Sequence, residues 1–309
     1  MTELSRVILR DWQVRKTKAQ KQRFIEYLQS RLPGLAVEEG GWPRCRNLVL
    51  CDPENADVVF TAHYDTCARL PFPNFITPKN LLIYLLYQLL ILIPFFAAAG
   101  LLAWCLIRAG VFALLAILLG WFAVFVLIFY VFIFGPANPH TVNDNTSGVL
   151  TLCELIAALS EEERSRCAFV FFDHEETGLF GSALFHSRHK KAMKNCLVIN
   201  FDCVSDGDHI LIVQNGKAKR RAGAALGAAF HTAEDKQLHL CGPLEAFYPS
   251  DQINFPCAVG VAALNKAPVL GLYMTRIHTP RDTVCDERNF SFLVEGVQCF
   301  LRLYEANND

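Results

Sequence analysis

The sequence predicts an α/β domain, a mostly parallel central sheet flanked by helices, with an inserted two-helix transmembrane hairpin. Three observations carry this. Asp57–Ala62, Ala168–Phe172 and Leu197–Phe201 are short, continuous apolar runs, as expected of strands buried on both faces. Helix-like stretches alternate with them, at Val14–Leu32, Ser147–Leu159, Ser182–Met193, Ala218–Thr232 and Glu287–Tyr304. Between the first strand and the second helix lie 27 residues without a charge, Leu81–Ile107, and 24 more, Val111–Phe134.

In chain order, the basic stretch Arg15–Arg23 is expected to be the solvated face of the first helix. A membrane-spanning helix needs about 20 predominantly apolar residues, so both charge-free runs are long enough. Neither shows a polar stripe of helical period, and Tyr84, Tyr87, Trp104 and Tyr130 lie near their ends, where interfacial aromatics belong. Gln88 and the tip residue Arg108 are their only strongly polar groups. Pro94 and Gly100 are candidate kinks, and Ala97, Ala98 and Gly100 candidate points of close helix approach. Val259–Leu264 and Val269–Met274 read as two later strands. The chain thus divides into one discontinuous domain, 1–80 with 135–309, and a hairpin, 81–134.

Short polar clusters follow the apolar runs. They supply five candidate metal ligands: His63, Asp144, Glu176, Asp202 and His278. Two imidazoles and three carboxylates suit zinc, and one carboxylate is available to bridge two ions. Glu175, beside a ligand, is the general base a metal-assisted hydrolase needs. Ligands of open α/β sheets bind beyond the carboxyl ends of the strands, where His63, Asp173–Glu176 and Asp202 fall. His174 reads as structural or substrate-facing, and His140, His186, His189, His209, His231 and His239 as surface residues.

These motifs (His63-Tyr-Asp-Thr, Val142-Asn-Asp-Asn-Thr-Ser-Gly148, Phe172-Asp-His-Glu-Glu-Thr-Gly178, Ser250-Asp251 and His278-Thr-Pro-Arg-Asp-Thr283) resemble those of the co-catalytic dinuclear zinc aminopeptidases. That group includes bacterial leucyl aminopeptidases, glutamate carboxypeptidase II and the glutaminyl cyclases. The resemblance covers nearly everything except residues 81–134. It implies two zinc ions bridged by Asp144, one completed by His63 and Asp202, the other by Glu176 and His278. It also implies Glu175 as base, Asp65 orienting His63, Asp282 supporting His278, and a cis peptide after Asp144. Tyr248 is a candidate oxyanion donor, although its register against Ser250-Asp251 departs from the family pattern.

Net charge is −1 and no basic, aromatic-interleaved patch appears, which argues against nucleic-acid binding. The 12 cysteines make no CxxC framework and read as thiols in a reducing compartment. Met1–Gln20 is polar and charged, so no secretory leader is expected. Twelve Lys or Arg residues precede Leu81 against Arg108 alone at the opposite tip, which favours a cytoplasmic catalytic domain. The hairpin separates His63 from Asp144, so an even number of spans is required and the site should open near the bilayer. The expected activity is that of a membrane-anchored zinc aminopeptidase, hydrolysing peptide or amide bonds in short or hydrophobic peptides near the bilayer. The alternatives are a lipid-amide (N-acyl amino acid) hydrolase, a glutaminyl-cyclase-like aminoacyltransferase and a non-catalytic membrane scaffold.

Overall fold

The computed structural model describes residues 1–306; Asn307–Asp309, the end of the expected 135–309 segment, lie outside the described residues. Nine strands form one sheet: β1 Ala36–Gly40, β2 Cys45–Leu50, β3 Val58–His63, β4 Cys167–Phe172, β5 Leu197–Phe201, β6 His209–Gln214, β7 Gln237–Cys241, β8 Ala258–Ala267 and β9 Gly271–Tyr273. Their order is β1-β2-β4-β3-β5-β8-β6-β7, with β9 paired to β8. The four central strands β4, β3, β5 and β8 run parallel. β6 and β7 are also parallel to each other, while β1, β2, β6 and β9 join their neighbours antiparallel. The parallel core therefore coincides with the apolar runs that end in polar clusters.

Helices cover both faces. α1 Glu3–Asp11, α2 Lys18–Arg31, α5 Ser147–Ala158, α8 Gly216–Ala229 and α9 Glu287–Ala306 contribute to one core. α7 Phe180–Arg188 packs against the other face, and the short α6 Glu161–Ser165 precedes β4. Alternate strand residues divide between the two cores: Phe60, Phe169 and Phe171 on the first side, Val59, Val170 and Phe172 on the second. This explains the unbroken apolar runs, since both faces of a central strand are dry. The first long helix starts at Lys18 rather than Val14 because Thr17 and Gln20 form a reciprocal capping box.

The expected solvated face at Arg15–Arg23 needs correction. Arg15 is fully buried, and Lys21 is buried in an ion pair with Asp173 at 2.6 Å. His189 is likewise buried, its two ring nitrogens engaged by Glu38 and Glu54.

The hairpin comprises α3 Leu81–Arg108 and α4 Ala113–Phe129, the latter extended by a wider turn at Tyr130–Phe134. Asn80 caps α3, its side chain accepting from the Ile83 amide at 3.2 Å. At about 1.5 Å per residue α3 exceeds the roughly 30 Å of a bilayer core, and α4 reaches it with the Tyr130–Phe134 extension; counted so, both are long and apolar enough to cross one. α3 continues through Pro94. The helices meet along Phe95, Ala99 and Ala103 of α3 and Ala116, Gly120 and Val124 of α4, not along Ala97, Ala98 and Gly100. A Cβ on Gly120 would lie 2.7 Å from the Ala99 carbonyl oxygen, so small residues set the approach. At the base, Phe72 packs on Phe132, Phe75 on Tyr87 and Phe247 on Tyr84.

Candidate metal centre

His63 ends β3, Asp173–Glu176 follow β4 and Asp202 follows β5, so three adjacent parallel strands deliver side chains to one rim. Asp144 comes from the turn entering α5 and His278 from the loop after β9. His278 holds a left-handed backbone at φ 58°, and its carbonyl accepts from the Leu70 amide at 2.8 Å. The hairpin's root is therefore bonded to the loop that carries His278. The Asp144–Asn145 peptide bond is cis. Asn145 ties this turn to the end of β5: its amide donates to the Phe201 carbonyl at 3.0 Å, and its oxygen accepts from Gly148 and Cys203.

All five expected ligand residues and Glu175 converge. His63 Nε2 lies 3.4 Å from Asp144 Oδ1, 3.7 Å from Asp202 Oδ1 and 4.0 Å from Glu175 Oε2. His278 Nε2 lies 2.9 Å from Asp144 Oδ2 and 3.4 Å from Glu176 Oε2. Asp144 thus turns one oxygen toward each imidazole. Two thiols that the sequence reading omits join overlapping groupings: Cys67 with Glu176 and His278, and Cys203 with Asp144 and Asp202. Burial pushes both thiols well above their ordinary range. No spacing signal marks them, because their proximity arises only from folding.

The cluster fits cations. Four carboxylates and two imidazoles occupy one buried space, and Glu176 Oε1 is buried with no hydrogen-bond partner among the described residues. Burial raises Glu175 and Glu176 well above ordinary carboxyl values, reinforced by the neighbouring carboxylates. Asp144 moves the other way: burial would raise it, but His278 and His63 outweigh that and hold it below the usual range. Tetrahedral zinc with bonds of about 2.0–2.1 Å separates its donors by about 3.3–3.4 Å; the 3.4 and 3.7 Å separations here are of that size, and the 2.9 Å between His278 and Asp144 is shorter.

The surrounding groups differ in part from expectation. Asp65 stands 3.6 Å from His63 Nδ1, whose nearer partner is the Asp65 carbonyl at 3.1 Å. The Asp65 carboxylate also accepts the Glu175 and Glu176 amides at 3.0 and 3.3 Å, fixing the glutamate turn. Asp282 does not support His278 as expected. It accepts the Asn143 and Asp144 amides at 2.7 and 3.0 Å and so holds the Asp144 turn; burial and the nearby Asp144 push it up to about 8. Tyr248, the candidate oxyanion donor, borders the same cavity, where its hydroxyl donates to the Asp202 carbonyl at 3.2 Å. Arg15, another omission, bridges the two loops by donating to the Tyr64 carbonyl at 2.6 Å and to Thr146 Oγ1 at 3.1 Å. Ser250 donates to Glu175 at 3.5 Å, and burial pushes Asp251 up to about 7.

A cavity of about 420 Å³ opens over the cluster, bordered by Asp144, Glu175, Glu176, Asp202 and His278. The sequence profile of peptidase family M28 matches residues 131–290, 160 of the 309, a span that contains all of these residues. Among solved structures, the fold is similar to the LapA aminopeptidase of Legionella pneumophila: 12% identity, 98% of this chain, 68% of that one, TM-score 0.58. It is also similar to a Zn-dependent exopeptidase from Parabacteroides distasonis: 12% identity, 98% and 97% coverage, TM-score 0.55. A glutaminyl cyclase from Macrostomum lignano is comparably similar: 12% identity, 99% and 89% coverage, TM-score 0.56. A sequence comparison with curated proteins gave no match.

Proposed function

The chain belongs to peptidase family M28, and on that premise we propose that it is a membrane-anchored, zinc-dependent hydrolase of the aminopeptidase type. One observation carries this reading: the Asp144 carboxylate divides its oxygens between His63 and His278, as a carboxylate shared by two ions would. His63 and Asp202 would hold one ion, Glu176 and His278 the other. Zinc supplies Lewis acidity toward a water and toward the scissile carbonyl.

The chain's own residues do the rest. Glu175 removes the water's proton and returns it to the leaving amine nitrogen. The Asp65-held turn fixes its backbone. The aromatic contacts at the hairpin base hold the rim of the cavity.

Residues 1–80 and 135–309 then form one hydrolase domain rooted by the 81–134 hairpin in the bilayer. The twelve basic residues before Leu81 support a cytoplasmic face. Glu175→Gln in full-length protein is expected to lower turnover of aminoacyl amides about 10²–10⁴-fold while two zinc ions per chain remain bound. Unchanged turnover refutes Glu175 as base. One zinc per chain, with cyclisation of N-terminal glutamine, would replace the reading by the cyclase one.

A further inference from the structure

The cavity over the cluster is closed on one side by the hairpin itself: Tyr84 and Gln88 of α3, and Phe132 just beyond α4, border the same space as the candidate ligands. Gln88 lies seven residues past Leu81, about 10 Å along the helix axis at about 1.5 Å per residue. The cavity thus reaches from the polar cluster along the first two turns of α3.

Gln88 is the strongly polar residue of the charge-free run Leu81–Ile107. It is half-buried, and among the described residues neither its amide nor the Tyr84 hydroxyl has a hydrogen-bond partner. A polar side chain within a membrane helix is costly and marks a ligand path or a partner; this one borders the substrate cavity. The wall is held in place: Tyr84 packs on Phe247 with ring centroids 6.2 Å apart, and Phe132 on Phe72 at 5.7 Å. About 420 Å³ falls in the size range of small-molecule sites, roughly 300–1,000 Å³.

We propose that the membrane helices form the outer half of the substrate site, and that the substrate is an amphipathic amide of the N-acyl amino acid class. The inference rests on the hydrolase reading above. The scissile carbonyl lies at the cluster, the carboxylate meets Gln88 and Tyr84, and the alkyl chain passes Phe132 into the bilayer. Water adds to the acyl carbon and the carbon–nitrogen bond breaks. The proton taken by Glu175 goes to the amine nitrogen, releasing a fatty acid and an amino acid.

The test uses zinc-loaded, full-length protein in phosphatidylcholine nanodiscs, with N-acyl leucines of increasing chain length, an N-acyl amine lacking the carboxylate, and Leu-Leu dipeptide. The fourteen-carbon acyl leucine is expected to exceed the two-carbon one at least about tenfold in kcat/KM. Phe132→Ala should reduce that ratio below about threefold. Gln88→Leu should similarly collapse the preference for the carboxylate-bearing substrate. Bilayer partitioning is common to all three proteins and cannot produce these differences. Faster turnover of the dipeptide, or variant profiles that match wild type, overturns the proposal. Loss of all amide turnover defeats the hydrolase reading instead, and a second arm then decides this one. Glu175→Gln protein is photolabelled with a fourteen-carbon acyl leucine bearing a terminal diazirine. Label on the cavity-facing ends of α3 and α4 supports the site; label elsewhere overturns it.

Discussion

Lys21→Met is the most direct probe of what holds the glutamate turn in place. Lys21 Nζ pairs with Asp173 Oδ1 at 2.6 Å, both side chains nearly inaccessible at 7% and 1%. Asp173 also accepts the Arg46 and His174 amides at 3.1 and 3.0 Å, so its charge is fixed beside Glu175 and Glu176. Removing the ammonium leaves that carboxylate buried without its cationic partner, a loss of about 3–5 kcal/mol for a broken buried pair. At about 2–4 °C per kcal/mol for a chain of this size class, the melting midpoint should fall by roughly 6–20 °C. Circular dichroism on nanodisc-embedded protein measures it. The double variant Lys21→Met/Asp173→Asn removes both charges and keeps an acceptor for the Arg46 amide, so it should recover most of the loss. A Lys21→Met midpoint within about 2 °C of wild type, or a double variant as unstable as the single one, refutes the argument.

Two further outcomes follow from the site and its surroundings. Asp282→Ala strips the acceptor from the Asn143 and Asp144 amides; zinc affinity, read by chelator competition, should drop about 10–100-fold, and an unchanged affinity would show that the turn holds itself. His189 is hydrogen-bonded by Glu38, which raises its pKa; burial opposes this and Glu54 adds to the rise. Its stabilisation is therefore complete below the unfolded value of about 6.5 and fades as pH rises through the folded one. Denaturation of His189→Gln against wild type should show a gap of about 1 kcal/mol near pH 6 that narrows toward pH 9. A gap that widens with pH contradicts the sign.

The legible part of the structure is the part where local pattern and burial coincide. β3, β4 and β5 carry six, six and five consecutive buried residues, so their apolar runs announced them and the polar clusters at their ends announced the rim. β1 and β7 are edge strands of mixed polarity, with no such run to read. β6 has an Ile-Leu-Ile-Val run, but the polar residues after it, Gln214-Asn215-Gly216-Lys217, include no His, Asp or Glu, so reasoning from strands that end in metal donors passes over it. Arg15 and Lys21 look solvated in a run of basic residues, and only the loops folded over them remove the water. Asp282 illustrates the same limit within the site: its proximity to His278 in sequence suggested one partner, and the turn at Asp144 supplies another.

By itself, the order of residues determined which donor types would be available and that two segments are apolar throughout, because chemistry and hydropathy are properties of each position. Folding decided which oxygen of Asp144 faces which imidazole, that Cys67 and Cys203 stand among the donors, and that Tyr84, Gln88 and Phe132 wall the cavity. Those are relations between residues far apart along the chain, fixed by packing three-dimensional surfaces that no local pattern encodes.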